Sequence, residues 1–409
     1  MMGLFKENKM FRTYLGYRIF AGLGGGVFTI FVLLSVHLLY ENPMYTGIAG
    51  FLIALPFIFS FAVGPVVDKR SKPAIMRLTT FIEFTVLALL AFTPLLDHIG
   101  VLFMFVVILI FSVVAVFQSP ASTALLPQII PGEKILQANS FIEITSFISA
   151  LVIAIVMFML LRASDNINFM FVYGLSVVFL AMAFVVALFI KDPSEKDVKE
   201  NVQRQNYWQD LKDGAKFIRH NVLLYITIAV VALAFFSEIA SVNRPMFFEY
   251  YLGAQGYIIL AIMALLGGIV ASIFVGVVGN KFKAGWLAFT LLLASSVMRV
   301  IFVQVLPRHY AGALITLVVY AAFATAVSII FSSLMQRIPP KDMVGRVDTI
   351  STTLIAVFVA VGAIVGGFLG RVIPVVDHIF IYQGISYAVI GVLILLIPGI
   401  RKLPKTSNL

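Results

Sequence analysis

About a dozen stretches of this 409-residue chain are apolar over lengths that suffice to cross a lipid bilayer. A spanning helix needs ~20 predominantly apolar residues, because the hydrocarbon core holds no water to satisfy free backbone groups. Apolar residues make up 61 % of the chain and charged residues only 12 %, whereas soluble domains have roughly 45–50 % and 25 %. The sequence therefore predicts an all-α protein with many membrane spans.

Turn and charge signals such as Asn42-Pro43 and Pro339-Pro340 separate twelve predicted spans. The longest polar segment, residues 191–221, follows the sixth span and divides the chain into six spans plus six. We predict an N-terminal bundle of residues 1–190 and a C-terminal bundle of residues 222–409, joined by this cytoplasmic linker. The predicted spans are residues 14–40, 45–67, 74–96, 101–120, 139–161, 168–190, 222–245, 256–279, 284–305, 310–335, 348–372 and 379–398.

One part of the linker has helical periodicity. Trp208, Leu211, Ala215 and Ile218 are apolar at a spacing of three to four residues. This spacing is typical of a short amphipathic helix that lies along the membrane surface. An ordinary solvated linker explains the segment equally well, so both interpretations stay open at this point.

The distribution of basic residues predicts the orientation. With both termini in the cytoplasm, most of the 29 Lys and Arg residues lie in cytoplasmic loops and ends, as the positive-inside rule requires. The same rule accounts for the net charge of +10, so no nucleic-acid partner is implied. We therefore expect a multi-pass protein of the cell membrane with both termini cytoplasmic. The basic residues left outside are Arg162, Arg244, Arg308 and Arg371.

Several chemistries are excluded by what the sequence lacks. Zero cysteines exclude thiolate catalysis and cysteine-ligated metals, and no two of the five histidines are close in sequence. The chain has no G-x-x-x-x-G-K-[ST] loop that would bind ATP, and we find no arrangement of nucleophile and base. We predict a protein that is not an enzyme, has no cofactor and no metal site, and acts as a monomer on a small-molecule substrate.

The two halves repeat each other at an offset of about 210 residues. Gly64 precedes Asp68 and a run of bases, and Gly276 precedes Asn280 and further bases. Pro131 and Pro340 each have an acid two residues later and an Asn or Asp six residues beyond that acid. Such parallel repeats are one of the known transporter designs.

Six plus six spans, a central loop and a G-x-x-x-D-[RK] loop after the second span resemble the major facilitator superfamily. Two segments are similar to its macrolide-efflux and enterobactin-exporter branch: PASTALLPQIIPGEKILQANS, residues 120–140, and QRIPPKDMVGRVDTI, residues 336–350. The resemblance implies two six-helix pseudo-symmetric bundles that work by alternating access.

The resemblance also implies a conformational latch, in which a charge cluster at helix ends is held in one state and released in the other. Plain positive-inside topology is the competing explanation for the bases. The loop departs from the family pattern, because Lys69 stands where Arg is usual and Ser71 replaces a Gly. The expected latch residues are Gly64, Asp68, Lys69, Arg70 and Lys72 in the first half, with Arg346 and Asp348 as partners in the second half.

Ionisable residues inside spans are costly and are functional candidates by default. Glu238, in the outer half of the seventh span, is the first candidate for proton or cation coupling, and Glu83 in the third span is the second. Burial disfavours the charged form of a carboxyl group, which suits a proton carrier. For Glu238 the alternative is a structural ion pair or a snorkelling residue close to the outer interface. Against a functional role of Glu83 stands the usually peripheral position of helix 3 in this fold.

In this fold, helices 1, 4, 7 and 10 line the substrate cavity. The resemblance therefore places five further residues at the cavity, namely Arg18, Ser112, Tyr320, Thr325 and Ser328. Helix 4 lacks the Arg that many proton-coupled members carry, and helix 5 lacks the glycines of the antiporter signature, so support for proton antiport is weak.

The leading hypothesis is a secondary transporter that exports amphipathic small molecules of drug, macrolide or siderophore type, with protons as the coupling ion. The few charges at the expected cavity favour such substrates over sugars or polyanions. An uptake carrier or a lysophospholipid flippase on the same fold is the alternative.

Overall fold

The computed structural model of the chain is helical wherever it describes regular structure. It describes residues 8–68, 70–92, 100–130, 135–163, 169–192, 207–278, 282–340, 343–373, 377–401 and 403. The helices are α1 (Lys9–Tyr40), α2 (Pro43–Ala54), α3 (Ser60–Asp68), α4 (Lys72–Phe92), α5 (Val101–Ile129), α6 (Ile135–Ala163), α7 (Phe169–Leu188), α8 (Tyr207–Arg219), α9 (Leu223–Ser241), α10 (Arg244–Leu252), α11 (Ala254–Val278), α12 (Ala284–Val305), α13 (Tyr310–Arg337), α14 (Val344–Val372), α15 (Asp377–Leu396) and α16 (Pro398–Arg401).

Within this described part, eleven helices are long and apolar enough to cross a membrane, and a shorter apolar stretch, Ile148–Leu160, lies in α6. Each of the twelve predicted spans overlaps a helix, with α2 and α3 joined by a 3₁₀ turn at Leu55–Phe59. Helices satisfy their own backbone groups, which is what the hydrocarbon core demands. The predicted all-α membrane architecture is confirmed.

Three spans begin at side-chain caps that the sequence supplies. The side chain of Asn8 accepts a hydrogen bond from the Phe11 backbone N–H at 2.9 Å. Asn42 caps α2 in the same way, and Pro43 at the first helical position needs no donor. His309 accepts from the Gly312 N–H at 3.1 Å and starts α13.

The chain divides into two compact units. Unit 1 comprises Met1–Glu41 and Phe59–Val202, and unit 2 comprises Asn42–Ile58 and Gln203–Leu409. α2 groups with unit 2 because it packs along α14. The boundaries predicted from sequence, 1–190, 191–221 and 222–409, describe the repeat and stay a prediction for the functional bundles.

The packing of α2 on α14 depends on glycine. A β-carbon on Gly47 would lie 2.7 Å from both the Ala363 carbonyl oxygen and the Gly367 Cα. Side chains at these positions would force the two backbones apart, and small residues are what permits close approach of spanning helices. This close contact holds α2 against α14 within unit 2.

Unit 1 is built around α1, which packs on α7 and α6, while α4 packs on α5 and α7. The Tyr173 hydroxyl donates to Ser35 Oγ at 2.6 Å, and Ser176 Oγ donates to the Gly24 carbonyl oxygen at 2.7 Å. These buried bonds tie α7 to α1 over three helical turns.

Two short helices refine the sequence interpretation of unit 2. The amphipathic segment forms the helix α8; Gly214 lies against Arg346 at the start of α14, and Ile218 joins the core. The seventh predicted span, residues 222–245, ends early, because α9 stops at Ser241 and α10 begins after Asn243. The Asn243 side chain donates to the Gly366 carbonyl oxygen at 2.8 Å and anchors this break to α14.

Candidate functional site

Unit 2 contains a cavity of about 540 Å³ between α9, α12, α13, α14 and α15. Its apolar walls come from α9, α12, α13 and α14 and include Leu233, Val327 and Phe331. Its polar lining is formed almost entirely by hydroxyl groups and by one carboxylate. The polar lining residues are Ser237, Thr325, Ser328, Ser332, Asp348, Ser351, Thr352 and Tyr387.

Helical spacing explains why the hydroxyl groups converge. Thr325, Ser328 and Ser332 follow one another at three and four residues along α13, so they share one face of that helix. Asp348 and Thr352 stand one turn apart on α14 and line the same space. A pocket with apolar walls and a few placed polar groups is typical of small-molecule sites.

Two of the five residues predicted for the cavity, Thr325 and Ser328, line it. Sequence reasoning missed Ser332, Ser351 and Thr352, although their spacing from the predicted residues was visible in the sequence. The role of all of these residues in substrate binding stays a prediction.

The other three predicted cavity residues lie elsewhere. Tyr320 is buried in the core of unit 2 beside Arg299, whose guanidinium carbon lies 4.4 Å from the tyrosine ring centroid. Ser112 is buried in α5 and donates to the Ile108 carbonyl oxygen at 2.8 Å within its own helix. Arg18 Nη1 donates to Ser122 Oγ at 3.3 Å in unit 1.

Glu238, the first coupling candidate, lies one turn before the end of α9 and beside the glycines of two other helices. A β-carbon on Gly50 of α2 would lie 3.3 Å from Glu238 Oε1, and one on Gly362 of α14 would lie 3.3 Å from Glu238 Cβ. The Arg244 guanidinium and Tyr257 interact with the Glu238 carboxylate electrostatically. Ser237, the preceding residue, lines the cavity.

Glu83, the second coupling candidate, belongs to a buried network in unit 1. Gln118 Nε2 donates to Glu83 Oε2 at 2.9 Å and lies 3.3 Å from Thr80 Oγ1, which in turn shares a 3.0 Å hydrogen bond with the Tyr17 hydroxyl. Glu83 is 3 % exposed. The network joins α1, α4 and α5 and supplies the buried carboxyl group with a hydrogen-bond donor.

The expected latch residues fall in both units. In unit 1, Gly64 lies in α3, Arg70 is exposed, and Lys72 is buried at the start of α4. Lys69 lies outside the described residues, and so does the side chain of Asp68, whose backbone ends α3. In unit 2, Arg346 lies in the first turn of α14 and Asp348 lines the cavity. Their joint action as a latch stays a prediction.

A larger space of about 690 Å³ also lies in unit 2, between α11, α12 and α13. Its lining is apolar apart from Lys283 and Thr290, and its aromatic residues Phe282 and Trp286 are 53 % and 44 % exposed. Because these two rings are exposed, the space is a surface groove. The smaller cavity has a mixed apolar and polar lining and is therefore the better candidate for a substrate site.

Among the residues that the structure describes outside the spans, Tyr251 departs clearly from the ordinary behaviour of a tyrosine hydroxyl. The Tyr251 hydroxyl in α10 donates to Asp377 Oδ2 at 2.6 Å at the start of α15. Burial, that hydrogen bond and the negative charge of Asp377 raise the pKa of Tyr251 above its usual value. Across the described residues, no cluster of three or more His, Asp and Glu side chains could hold a metal ion.

Comparison with known proteins agrees with this architecture. A family model described as Major Facilitator Superfamily matches residues 14–357. Macrolide efflux protein A of Streptococcus pyogenes is 23 % identical over 402 residues, which cover 95 % of this chain and 96 % of that protein. The same protein from a serotype M6 strain of that species gives the same figures.

Solved structures share the fold at low sequence identity. A bacterial homologue of the iron transporter ferroportin, in an inward-facing state, has a TM-score of 0.71 at 12 % identity and covers 95 % of this chain and 98 % of its own. A D-xylose–proton symporter has a TM-score of 0.68 at 15 % identity, with 97 % and 98 % covered. These similarities confirm the fold class predicted from the sequence.

Proposed function

Because the chain belongs to the Major Facilitator Superfamily of membrane transporters, we propose that it is a secondary transporter that exports amphipathic small molecules by alternating access. The bundle of residues 1–190 moves against that of residues 222–409 and exposes the substrate site to one side of the plasma membrane at a time. The proposed substrates are of the drug, macrolide or siderophore type.

The observation that carries this proposal is the lining of the 540 Å³ cavity. Apolar side chains on α9 and α13 offer surface to a hydrophobic body, while Ser328, Ser332 and Thr352 offer hydrogen bonds at fixed points. A site for sugars would instead present many polar groups that pair with each hydroxyl of the ligand. The similarity to macrolide efflux protein A over 95 % of the chain supports export as the direction.

Protons are the proposed coupling ion, with Glu238 as the main carrier and Glu83 as the second. Both are carboxyl groups within spans; Glu83 is buried, and Glu238 is partly buried. A carboxyl group in such a place binds a proton on one side of the cycle and loses it on the other. Proton binding and substrate binding then shift the same conformational equilibrium in opposite directions, and this coupling gives antiport.

Transport by the purified chain in proteoliposomes tests this function. A macrolide, a siderophore, a hydrophobic cation and a lysophospholipid are offered outside vesicles whose lumen is acidic. Export by proton antiport predicts that an amphipathic compound accumulates inside and that nigericin, which collapses the gradient, abolishes the accumulation. Fluxes equal to those of protein-free vesicles for every compound would refute the proposal.

The same assay separates the alternatives. Accumulation that requires an alkaline lumen would indicate proton symport and therefore uptake. Movement of the lysophospholipid alone would indicate a flippase. Because the chain has no cysteine, single introduced cysteines near each terminus report the proposed cytoplasmic orientation through their reaction with an impermeant maleimide.

A further inference from the structure

Arg299 is a charged residue inside a spanning helix, and its contacts there are aromatic rings. It lies in α12 and is 4 % exposed. Its guanidinium carbon lies 4.4 Å from the ring centroid of Tyr320 in α13 and 5.0 Å from that of Tyr387 in α15. Arg299 Nε has no hydrogen-bond partner within the described part of the chain.

A second unsatisfied group lies on α15, the helix that also carries Tyr387. Gln383 is one turn before Tyr387 on the same face of α15 and is 2 % exposed. Among the residues that the structure describes, neither Gln383 Oε1 nor Gln383 Nε2 has a partner. A β-carbon on the following residue, Gly384, would lie 3.8 Å from Arg299 Cβ, so α12 and α15 pack closely at this level.

The backbone around this pair is fixed. Ser296 Oγ, one turn before Arg299, donates to the Gly384 carbonyl oxygen at 2.6 Å. Ser295 Oγ donates to the Tyr320 carbonyl oxygen at 3.3 Å. Both serines satisfy their own hydroxyls within the helix packing, so they do not supply partners for Arg299 or Gln383.

The chemistry of this pair fits one kind of ligand. The two rings supply no hydrogen-bond acceptor in their planes for the guanidinium N–H donors, which form a planar fork that matches a carboxylate. The Gln383 amide, one turn from Tyr387 on α15, carries a further donor. Buried polar groups without partners are costly, and a buried charge within a membrane is retained where it has a function.

Tyr387 connects this pair to the proposed substrate site, because it contacts the Arg299 guanidinium and also lines the 540 Å³ cavity. We infer that Arg299 and Gln383 form a carboxylate subsite at the wall of that cavity, which binds the anionic end of an amphipathic substrate when the Tyr387 side chain changes its rotamer. The inference rests on the proposed function, since it names the substrate class of the same cavity as carboxylate-bearing amphiphiles.

Binding to the purified chain in detergent tests the subsite without any transport step. The probe is 11-(dansylamino)undecanoic acid, and its primary amide serves as the uncharged match. We expect the wild-type chain to bind the acid at least tenfold more tightly than the amide. Arg299→Gln should remove this preference, and Gln383→Leu should reduce it while leaving the charge in place.

Two controls keep the result interpretable. Arg308→Gln removes an exposed arginine that follows α12 and should leave the preference unchanged. Because removal of Arg299 could impair folding, Gln383→Leu supplies a second variant whose elution profile and thermal unfolding are compared with those of the wild type. Equal affinity of the wild type for acid and amide, or an intact preference in both variants, would overturn the subsite.

The binding assay and the transport assay can give negative results independently of each other. A preference for the acid without any gradient-driven flux would support the subsite and count against export. Gradient-driven flux of uncharged or cationic compounds, together with equal binding of acid and amide, would support the transporter and overturn the subsite.

Discussion

The Glu238 carboxylate lies directly against the backbone of Gly50, where a β-carbon would be 3.3 Å from Oε1. The two residues are far apart in the sequence, on α9 and α2, yet both belong to unit 2. Gly50 thereby leaves room for a carboxyl group between α9, α2 and α14. A change in the spacing of these helices would alter the surroundings of Glu238, so we expect its protonation to respond to helix packing.

Gly50→Ala should disturb this site measurably. The new β-carbon would lie 2.7 Å from Val242 Cγ1, and because β-branched valine is stiff, α2 and α9 must separate slightly. Overpacking of this kind costs about 1–3 kcal/mol. We expect a lower thermal unfolding temperature in detergent and a shifted pH profile of transport. Gly268→Ala is the matched control, because a β-carbon there meets nothing within 4 Å.

Glu238→Gln should remove the dependence of flux on the pH gradient, because an amide cannot bind and release the transported proton. Substrate binding at equilibrium should survive, since the shape of the side chain is kept. Flux is measured in proteoliposomes over a range of imposed gradients. Glu249→Gln, which removes a carboxylate from α10, serves as the control, and an unchanged gradient dependence in Glu238→Gln would make Glu238 a structural residue.

Asp68→Asn should slow transport by about tenfold or more while insertion and substrate affinity stay near those of the wild type. The reason is that a latch acts on the exchange between conformations, and a tenfold loss corresponds to about 1.4 kcal/mol. Flux and equilibrium binding are measured on the same preparation. Wild-type flux in this variant would contradict the latch, and a parallel loss of binding would indicate misfolding instead.

Filling the cavity should reduce transport of a large substrate. Ser328→Phe places a ring among the cavity's hydroxyl groups, and we expect a loss in macrolide flux of about tenfold, or about 1.4 kcal/mol. Ser328→Ala should have a smaller effect, because it removes one hydrogen bond and keeps the space. Ser272→Phe adds the same ring at an exposed position of α11 and should be neutral. Equal fluxes in both Phe variants would exclude this cavity as the binding site.

Tyr251→Phe should destabilise unit 2 by about 1 kcal/mol at neutral pH, because it removes the hydrogen bond to Asp377. The raised pKa of Tyr251 means that the native state holds its proton more tightly than the unfolded chain. The contribution is therefore present below about pH 10, the unfolded value, and is lost as the pH rises through the higher native value.

Unfolding of this variant in detergent is followed from pH 7 to pH 11. The difference between wild type and Tyr251→Phe should stay constant up to about pH 10 and shrink above it. Tyr250→Phe is the matched control, because Tyr250 is 82 % exposed and the variant keeps its ring contact with Tyr251. A difference that grows with pH would contradict the assigned bond.

The sequence by itself determined that the chain forms a series of apolar helices and where each begins approximately, because the hydrocarbon core demands continuous apolar segments that satisfy their own backbone groups. The helix caps at Asn8 and Asn42 were local signals as well. The repeat and the loop at Asp68 were sufficient to indicate the family. Thr325 and Ser328 on α13 were expected at the cavity because the family resemblance implies that this helix lines it.

Only the tertiary structure decided which helices meet. The grouping of α2 with α14, the contact of Gly50 with Glu238 and the burial of Arg299 between Tyr320 and Tyr387 all join residues that are remote in sequence. A spanning helix is apolar on every side, because lipid and protein neighbours are equally apolar, so its sequence carries little information about which face packs inward. That face is chosen by close backbone approach at glycines and by buried polar pairs, which exist only once the chain has folded.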